Sequence, residues 1–216
     1  MRKTLRSLLG VATVGLGLAG LMPTKKAEAQ TSGSVEYIQS EKDEKSFARA
    51  NTFYSLPGKA NGYSFIEFYR NGGGYFGKTM ASRPIVSGLG PKVEAVHNGE
   101  LVSRVGFGAS FSVPGMPKGS YLNLGLLPVW ISAEQKRMQA QYVLGVSLPE
   151  GFNLSSFGEM NLRAQGGPQW GYGEAELTKS VGPFDFGYHM RLYDDGDATP
   201  KPQHGLVVRL NFGGKK

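Results

Sequence analysis

The sequence predicts an all-β protein that folds as one antiparallel, up-and-down β-barrel of twelve strands. Three observations predict this fold. Segments of strand length alternate between apolar and polar side chains, which is the period of a strand with two different faces. Short turn sequences rich in Gly, Pro and Asn separate these segments. Glycine occurs 32 times in the 216 residues, about twice its ordinary frequency, and glycine disfavours helices.

The first residues of the chain predict export. Basic residues begin the sequence, and the apolar run Leu8–Met22 follows them. Ala27 and Ala29 then provide small residues at the two positions that a signal peptidase reads. We therefore predict a secretory signal peptide of bacterial type over residues 1–29, with cleavage after Ala29, and a single barrel domain over residues 30–216.

The amino-acid composition argues against some binding partners and covalent modifications. The signal holds five of the 24 basic residues and one of the 17 acidic residues, so its removal lowers the net charge from +7 to about +3. The high isoelectric point therefore belongs largely to the signal and does not indicate a nucleic-acid partner. The chain has no cysteine, which excludes disulfides and attachment of a lipid through a cysteine.

The strands follow one another along the mature chain. Residues 34–40 predict a first strand, and the stretch 83–97 predicts an irregular one because it contains Pro84 and Pro91. Ten further strands are predicted between residues 47 and 212, so the preferred number is twelve and the alternative is ten. Alternation is clearest in the segments 101–113, 137–148, 184–193 and 206–212, and looser in 121–131 and 152–164.

The connections between these strands are short, which predicts that each strand pairs antiparallel with the next. Parallel strands would need crossovers of a dozen residues or more. An even number of strands is expected if both termini lie on one side of a membrane. The predicted turns are 41–45, 57–62, 71–74, 98–100, 114–119, 132–135, 149–151, 165–168, 181–183 and 194–202.

Two features favour a barrel in lipid over a soluble periplasmic barrel or sandwich, in which strands also alternate. The polar faces contain Arg among Gly, Ser, Gln and Asn, and the mature chain has only five Thr; this composition suits a confined, hydrated interior. Aromatic residues also gather near the strand ends, as in the interfacial girdles of membrane barrels. The predicted girdles are Tyr69, Tyr75, Trp130, Trp170 and Tyr193 at one end, and Tyr54, Tyr121, Phe152, Phe184 and Phe212 at the other.

The last strand carries a resemblance. Gly205, Val208, Leu210 and Phe212 alternate towards a Phe near the chain end, and in this the chain resembles Gram-negative outer-membrane β-barrel proteins of porin-like architecture, without matching one family. The resemblance implies a location in the outer membrane and recognition by the barrel-assembly machinery. The residues 213–216 that follow the Phe depart from the usual pattern.

We expect one face of the strands to contact outer-membrane lipid. The residues expected to face lipid are Phe107, Phe111, Tyr142, Leu144, Phe186, Tyr188, Leu206, Val208, Leu210 and Phe212. The opposite face is expected to line a channel. Its candidate residues are Arg49, Glu67, Arg104, Arg137, Glu159, Arg163, Glu174, Glu176, Asp185, His189, Arg191 and Arg209.

The order of these charges suggests a function. The acids Glu159, Glu174, Glu176 and Asp185 lie on successive strands, and most of the arginines lie on the remaining circumference. Two facing arcs of opposite charge would set up a transverse field across a narrow, passive pore for small hydrophilic solutes. The alternative is a closed structural barrel in which the same groups form Arg–carboxylate pairs.

Other functions find less support in the sequence. A lipid-modifying barrel enzyme is a further alternative, but His189 is the only mid-strand histidine and no nucleophile stands at a recognisable spacing. We therefore expect no catalytic residue and no cofactor. A soluble periplasmic binding barrel is the last alternative. The acidic stretch 194–197 would provide at most a weak, incidental cation site.

Overall fold

A computed structural model describes most of the chain after residue 30. The described residues are 31–42, 45–56, 60–70, 74–98, 102–131, 138–162, 167–193 and 201–213. The predicted signal peptide, Arg137, Arg163 and the acidic stretch 194–197 lie outside them. Within these ranges no helix has both the length and the apolar character needed to cross a membrane.

The described chain forms twelve strands, the preferred number, and all of them are antiparallel. A short 3-10 turn, Pro149–Gly151, connects the eighth strand to the ninth. The strands are β1 Thr31–Ser40, β2 Phe47–Leu56, β3 Ala60–Tyr69, β4 Tyr75–Ser82, β5 Leu89–Asn98, β6 Val102–Ser112, β7 Tyr121–Ile131, β8 Gln139–Ser147, β9 Phe152–Asn161, β10 Gln169–Val181, β11 Phe184–Tyr193 and β12 Lys201–Phe212.

Each strand pairs with its sequence neighbour, and β12 returns to pair with β1, so the sheet closes into a barrel. The closing register runs from Gly33 opposite Phe212 to Ser40 opposite Gly205. Both ends of the described chain, Thr31 and Gly213, therefore lie at one end of the barrel, which we call the terminal end. Closure leaves no unpaired strand edge, as the up-and-down topology predicts.

The distribution of side chains is inverted relative to a water-soluble protein. Among the described residues, 18 polar or charged residues are buried but only six hydrophobic ones are, whereas charged residues are ordinarily the most exposed. The outward face is apolar. Its well-exposed residues include Val35, Tyr37, Val93, Phe107, Leu124, Leu126, Val129, Ile131, Leu177, Phe186, Tyr188, Leu206, Val208, Leu210 and Phe212.

A β-bulge in β10 decides which way its acidic residues point. Trp170 pairs with Met160 and Tyr172 pairs with Glu159, so Gly171 is an extra residue between them. The bulge shifts the alternation by one position. Trp170 consequently points outwards, while Tyr172 points inwards together with the acids that follow it in the strand. The alternation of apolar and polar residues in the sequence does not by itself determine which way these acids point.

Three of the aromatic residues predicted for the girdles lie inside the barrel. Tyr69 packs against a buried apolar cluster of the interior, Tyr121 lines the internal cavity, and the Trp130 ring lies 5.2 Å from the guanidinium carbon of Arg104. A second bulge, between β6 and β7, brings Trp130 inwards because it too shifts the alternation. The two girdles are therefore less complete than the sequence predicts.

Large outward rings cover glycines of the neighbouring strands. A Cβ atom added at Gly158 would lie 2.3 Å from Cε1 of Tyr142 and 2.8 Å from the Trp170 ring. A Cβ at Gly62 would lie 1.9 Å from the Tyr54 ring. All three distances are below van der Waals contact, so glycine is required at these two positions by close approach.

Candidate functional site: the interior of the barrel

Arg49 on β2 stands at the centre of the interior and contacts three carboxylates. Its Nε donates to Glu67 Oε1 at 2.9 Å. Its Nη1 and Nη2 donate to the two oxygens of Glu174 at 3.0 and 2.5 Å, and Nη1 also lies 3.2 Å from Glu36 Oε1. Such a forked, bidentate arrangement is available to arginine and not to lysine.

Two further arginines extend this set. Arg191 Nη2 donates to Glu67 Oε1 at 2.7 Å. Arg209 donates through Nε to Glu36 Oε2 at 2.6 Å and through Nη2 to Glu176. We call the whole set the arginine network. Its members are Arg49, Arg191 and Arg209 with Glu36, Glu67, Glu174, Glu176, Asp185 and His189.

Some of these contacts join neighbouring strands along the wall, and others cross the lumen. Arg49 on β2 reaches Glu174 on β10, although β1, β12 and β11 lie between those strands in the sheet. Arg191 on β11 reaches Glu67 on β3, and β12, β1 and β2 lie between those two. The ion pairs therefore fill this half of the lumen as well as joining opposite walls.

A second set fills the other half of the lumen. Lys78 Nζ on β4 lies 2.6 Å from Glu159 Oε2 on β9 and 3.1 Å from Glu94 Oε1 on β5. Gln141 Nε2 on β8 donates to Glu94 Oε2 at 2.6 Å. We call this set the lysine network. Its members are Lys78, Lys92, Glu94, Gln139, Gln141 and Glu159.

An apolar layer lies next to the arginine network, towards the end of the barrel opposite the terminal end. Ile38, Phe47 and Val207 are buried there and pack together with Tyr69. The guanidinium carbon of Arg191 lies 4.0 Å from the centre of the Phe47 ring, a cation–π distance. Apolar packing thus backs the charged layer within the described residues.

On its other side, the charged layer is the floor of a cavity that opens at the terminal end. The cavity has a volume of about 650 Å³. Its walls combine serine and asparagine side chains with the rings of Phe53, Tyr63 and Phe65, and its floor includes Glu36, Arg49 and other members of both networks. The lumen is therefore open from one end and filled by side chains at mid-height.

The described part of the chain contains most of the residues that are predicted to line a channel. Those inside the barrel are Arg49, Glu67, Arg104, Glu159, Glu174, Glu176, Asp185, His189, Arg191 and Arg209. Their predicted segregation into acidic and basic arcs is not observed, because Glu36, Glu67 and Glu94 lie among the bases of β2 and β4. Among the described residues most of these charges contact an opposite charge, so they do not form two facing arcs.

The residues expected to face lipid all lie on strands where the pairing places them outwards. Leu206, Val208 and Leu210 of β12 alternate with the inward Val207 and Arg209. On β8 and β6, Tyr142 pairs with Leu124 and Phe111 pairs with Leu124 from the other side.

Sequence reasoning missed six members of the two networks. Glu36 and Glu94 are essentially fully buried, and Lys78 is 1% exposed; Lys92, Gln139 and Gln141 were also absent from the predicted site. Alternation of Val35 and Tyr37 with Glu36 could have placed Glu36 inside. Lys78 and Lys92 stand in the interiors of predicted strands, and this position was the sequence signal that could have placed them inside the barrel.

The fold and the interior define a class of protein, namely a closed twelve-stranded β-barrel with an apolar outer surface and an ion-paired lumen. Comparison of the chain with models of known protein families and with curated proteins finds no match.

Proposed function

We propose that this protein is an outer-membrane β-barrel whose lumen is closed by ion pairs, and that it serves as a structural element of the membrane and not as an open pore. The observation that carries the proposal is the inverted distribution of side chains. Large apolar residues cover the outside, and paired charges cross the inside.

The outward face supports a membrane location. Leu206, Val208 and Leu210 of β12 are 65, 45 and 42% exposed, and neighbouring strands present similar rows. An apolar surface of this extent is unfavourable in water. Lipid would cover it, and a closed barrel leaves no unpaired backbone group in the hydrocarbon.

The predicted signal peptide and the resemblance of the last strand add to this proposal. Export followed by assembly through the barrel-assembly machinery would place the barrel in the outer membrane of a Gram-negative cell. The terminal end, with its short turns, would then face the periplasm.

The two networks support a closed lumen. Moving a hydrated solute through the barrel would require that it displace Arg49 from Glu174 and Lys78 from Glu159. Breaking one partner away from a buried ion pair costs several kcal/mol because a charge is left uncompensated. Passive flow through this conformation is therefore unfavourable.

A narrow channel for small hydrophilic solutes is the second candidate, and the cavity of about 650 Å³ favours it. The cavity already extends from the terminal end of the barrel to the two networks. Conduction would then require both networks to rearrange together.

Planar-bilayer recording of the purified barrel tests the closed lumen. We expect no single-channel steps from the parent protein. Discrete steps of uniform size would contradict the closed lumen and support the channel.

Membrane insertion needs its own measurement. We expect the folded protein to be extracted from cells only by detergent, and to migrate differently on a gel before and after heating. Recovery of the folded protein in detergent-free buffer would contradict the membrane location, whatever the conductance.

A further inference from the structure

The cavity at the terminal end has two different walls. On the side of β2 and β3, Phe53, Tyr63 and Phe65 form a continuous row of rings. The Phe53 and Tyr63 rings are stacked with centroids 4.9 Å apart, and the Tyr63 and Phe65 centroids are 5.8 Å apart. This wall presents ring faces and edges to the cavity. Its polar groups are the Tyr63 hydroxyl, which donates to Asn51 Oδ1 at 2.7 Å, and the amides of Asn51 and Asn61.

The wall across from the rings is rich in hydroxyl and amide groups. Ser110 and Ser112 of β6, Asn123 of β7 and Ser155 of β9 line it. Ser112 donates to Asn123 at 2.6 Å. Within the described residues no hydrogen bond occupies the side chains of Ser110 or Ser155, so both are available to a ligand. The ring wall thus offers the larger stack of aromatic faces, and the wall across from it offers free hydroxyl groups beside Tyr121, Val143 and Phe157.

The floor of the cavity provides no free charge. Its acids are Glu36, Glu174 and Glu176, and its bases are Arg49, Arg209 and Lys92. Each acid is held by an arginine of the arginine network, and Lys92 contacts Gln141 and lies 3.8 Å from Glu94. A strongly charged ligand would lose its hydration without gaining an uncompensated partner, which is unfavourable.

We propose that this cavity binds an uncharged, polyhydroxylated ring compound, namely a mono- or disaccharide. Pyranose rings present apolar C–H faces and a rim of hydroxyls, which matches the row of rings on one wall and the serine and asparagine side chains on the other. The volume of the cavity lies within the ordinary range for small-molecule sites. The inference rests on the cavity alone and not on the proposed closed, structural role.

A hydrocarbon chain fits the cavity less well. It would cover the hydroxyls of Ser110 and Ser155 and the charged floor without replacing their hydrogen bonds to water, at a cost for each buried polar group. A sugar replaces those hydrogen bonds.

Titration calorimetry with maltose on the refolded chain tests the proposal. The detergent must lack a sugar headgroup, for example an alkyl amine oxide, because a maltoside would compete. We expect saturable binding of maltose, and no saturable binding of acetate or tetramethylammonium. No saturable heat with maltose, or tighter binding of either ion, would overturn the proposal.

Two phenylalanine variants locate the site. Phe53 and Phe186 are 46 and 45% exposed, but Phe53 faces the cavity and Phe186 faces outwards. We expect Phe53→Ala to weaken maltose binding about tenfold through loss of a ring contact, and Phe186→Ala to leave it unchanged. Heat-dependent gel migration identifies any variant that has not folded. Equal effects in two folded variants would overturn the assignment of the cavity as the site.

Discussion

The arginine network and the lysine network fill two halves of the same lumen by different means. In the arginine network a single side chain, Arg49, is within 3.2 Å of oxygens from three carboxylates, Glu36, Glu67 and Glu174. In the lysine network Lys78 contacts two, Glu94 and Glu159. The remaining hydrogen bonds of those two acids come from glutamine amides and not from further cations.

The difference follows from the shape of the two cations. A guanidinium offers five N–H donors in a planar fork, so one arginine can join strands on opposite walls. An ammonium is a compact charge with three donors, and neutral amides fill the space around it. In the arginine network Arg49 is therefore the partner that three acids share, and Arg191 and Arg209 supply further charged donors. In the lysine network neutral amides supply the further donors.

Replacing Arg49 by methionine should have the largest effect on stability. Glu36, Glu67 and Glu174 would lose a shared partner while remaining buried, so we expect the free energy of unfolding to fall by about 3–5 kcal/mol. Urea unfolding of the barrel in lipid vesicles measures the change. Lys42→Met at an exposed position is the control, with an expected change within about 0.5 kcal/mol. A loss for Arg49→Met no larger than for the control would show that the network does not hold the barrel together.

Lys78→Met should destabilise less. Gln139 still donates to Glu159 and Gln141 still donates to Glu94, so each acid keeps a neutral donor. We expect a loss of about 2–3 kcal/mol in the same unfolding assay, between the cost of an unsatisfied polar group and that of an uncompensated charge. If Lys78→Met is more costly than Arg49→Met, the contrast between the networks is wrong.

Arg49→Lys separates charge from shape and should have the smallest effect of the three. The charge is kept, but an ammonium cannot make the paired contacts to Glu174 together with the contact to Glu67. We expect a loss of about 1–2 kcal/mol, comparable with the loss of one or two hydrogen bonds to charged groups. An unfolding midpoint equal to that of the parent would indicate that only the charge of Arg49 matters.

Alternation within single strands predicted much of the fold. The inward and outward faces of β8, β11 and β12 follow the sequence pattern, and the short turns predicted antiparallel neighbours. These features are local, because the side-chain period of a strand fixes its two faces once one face is assigned.

The arrangement of the interior could not be predicted in the same way. Arg49 and Glu174 are 125 residues apart in sequence, and their contact depends on barrel size, register and the height of each residue. The two bulges add to the difficulty, since each reverses the faces beyond it. Trp130 was for this reason expected at an interface and lies inside. The acids and bases were expected either as two facing arcs or as Arg–carboxylate pairs, and the structure has the pairs.

Gly171 determines which residues of β10 point into the barrel and which point outwards. Residues before it and residues after it obey the same alternation but with opposite phase, so the strand carries an outward Trp170 and an inward Tyr172 only two positions apart. Deleting Gly171 would restore a single phase along the strand. Either the indole would then have to enter the lumen, or Glu174 and Glu176 would turn away from Arg49 and Arg209. The loss of one unpaired glycine would thus move side chains to the opposite face of the sheet, either those of Gln169 and Trp170 before it or those of residues 172–181 after it.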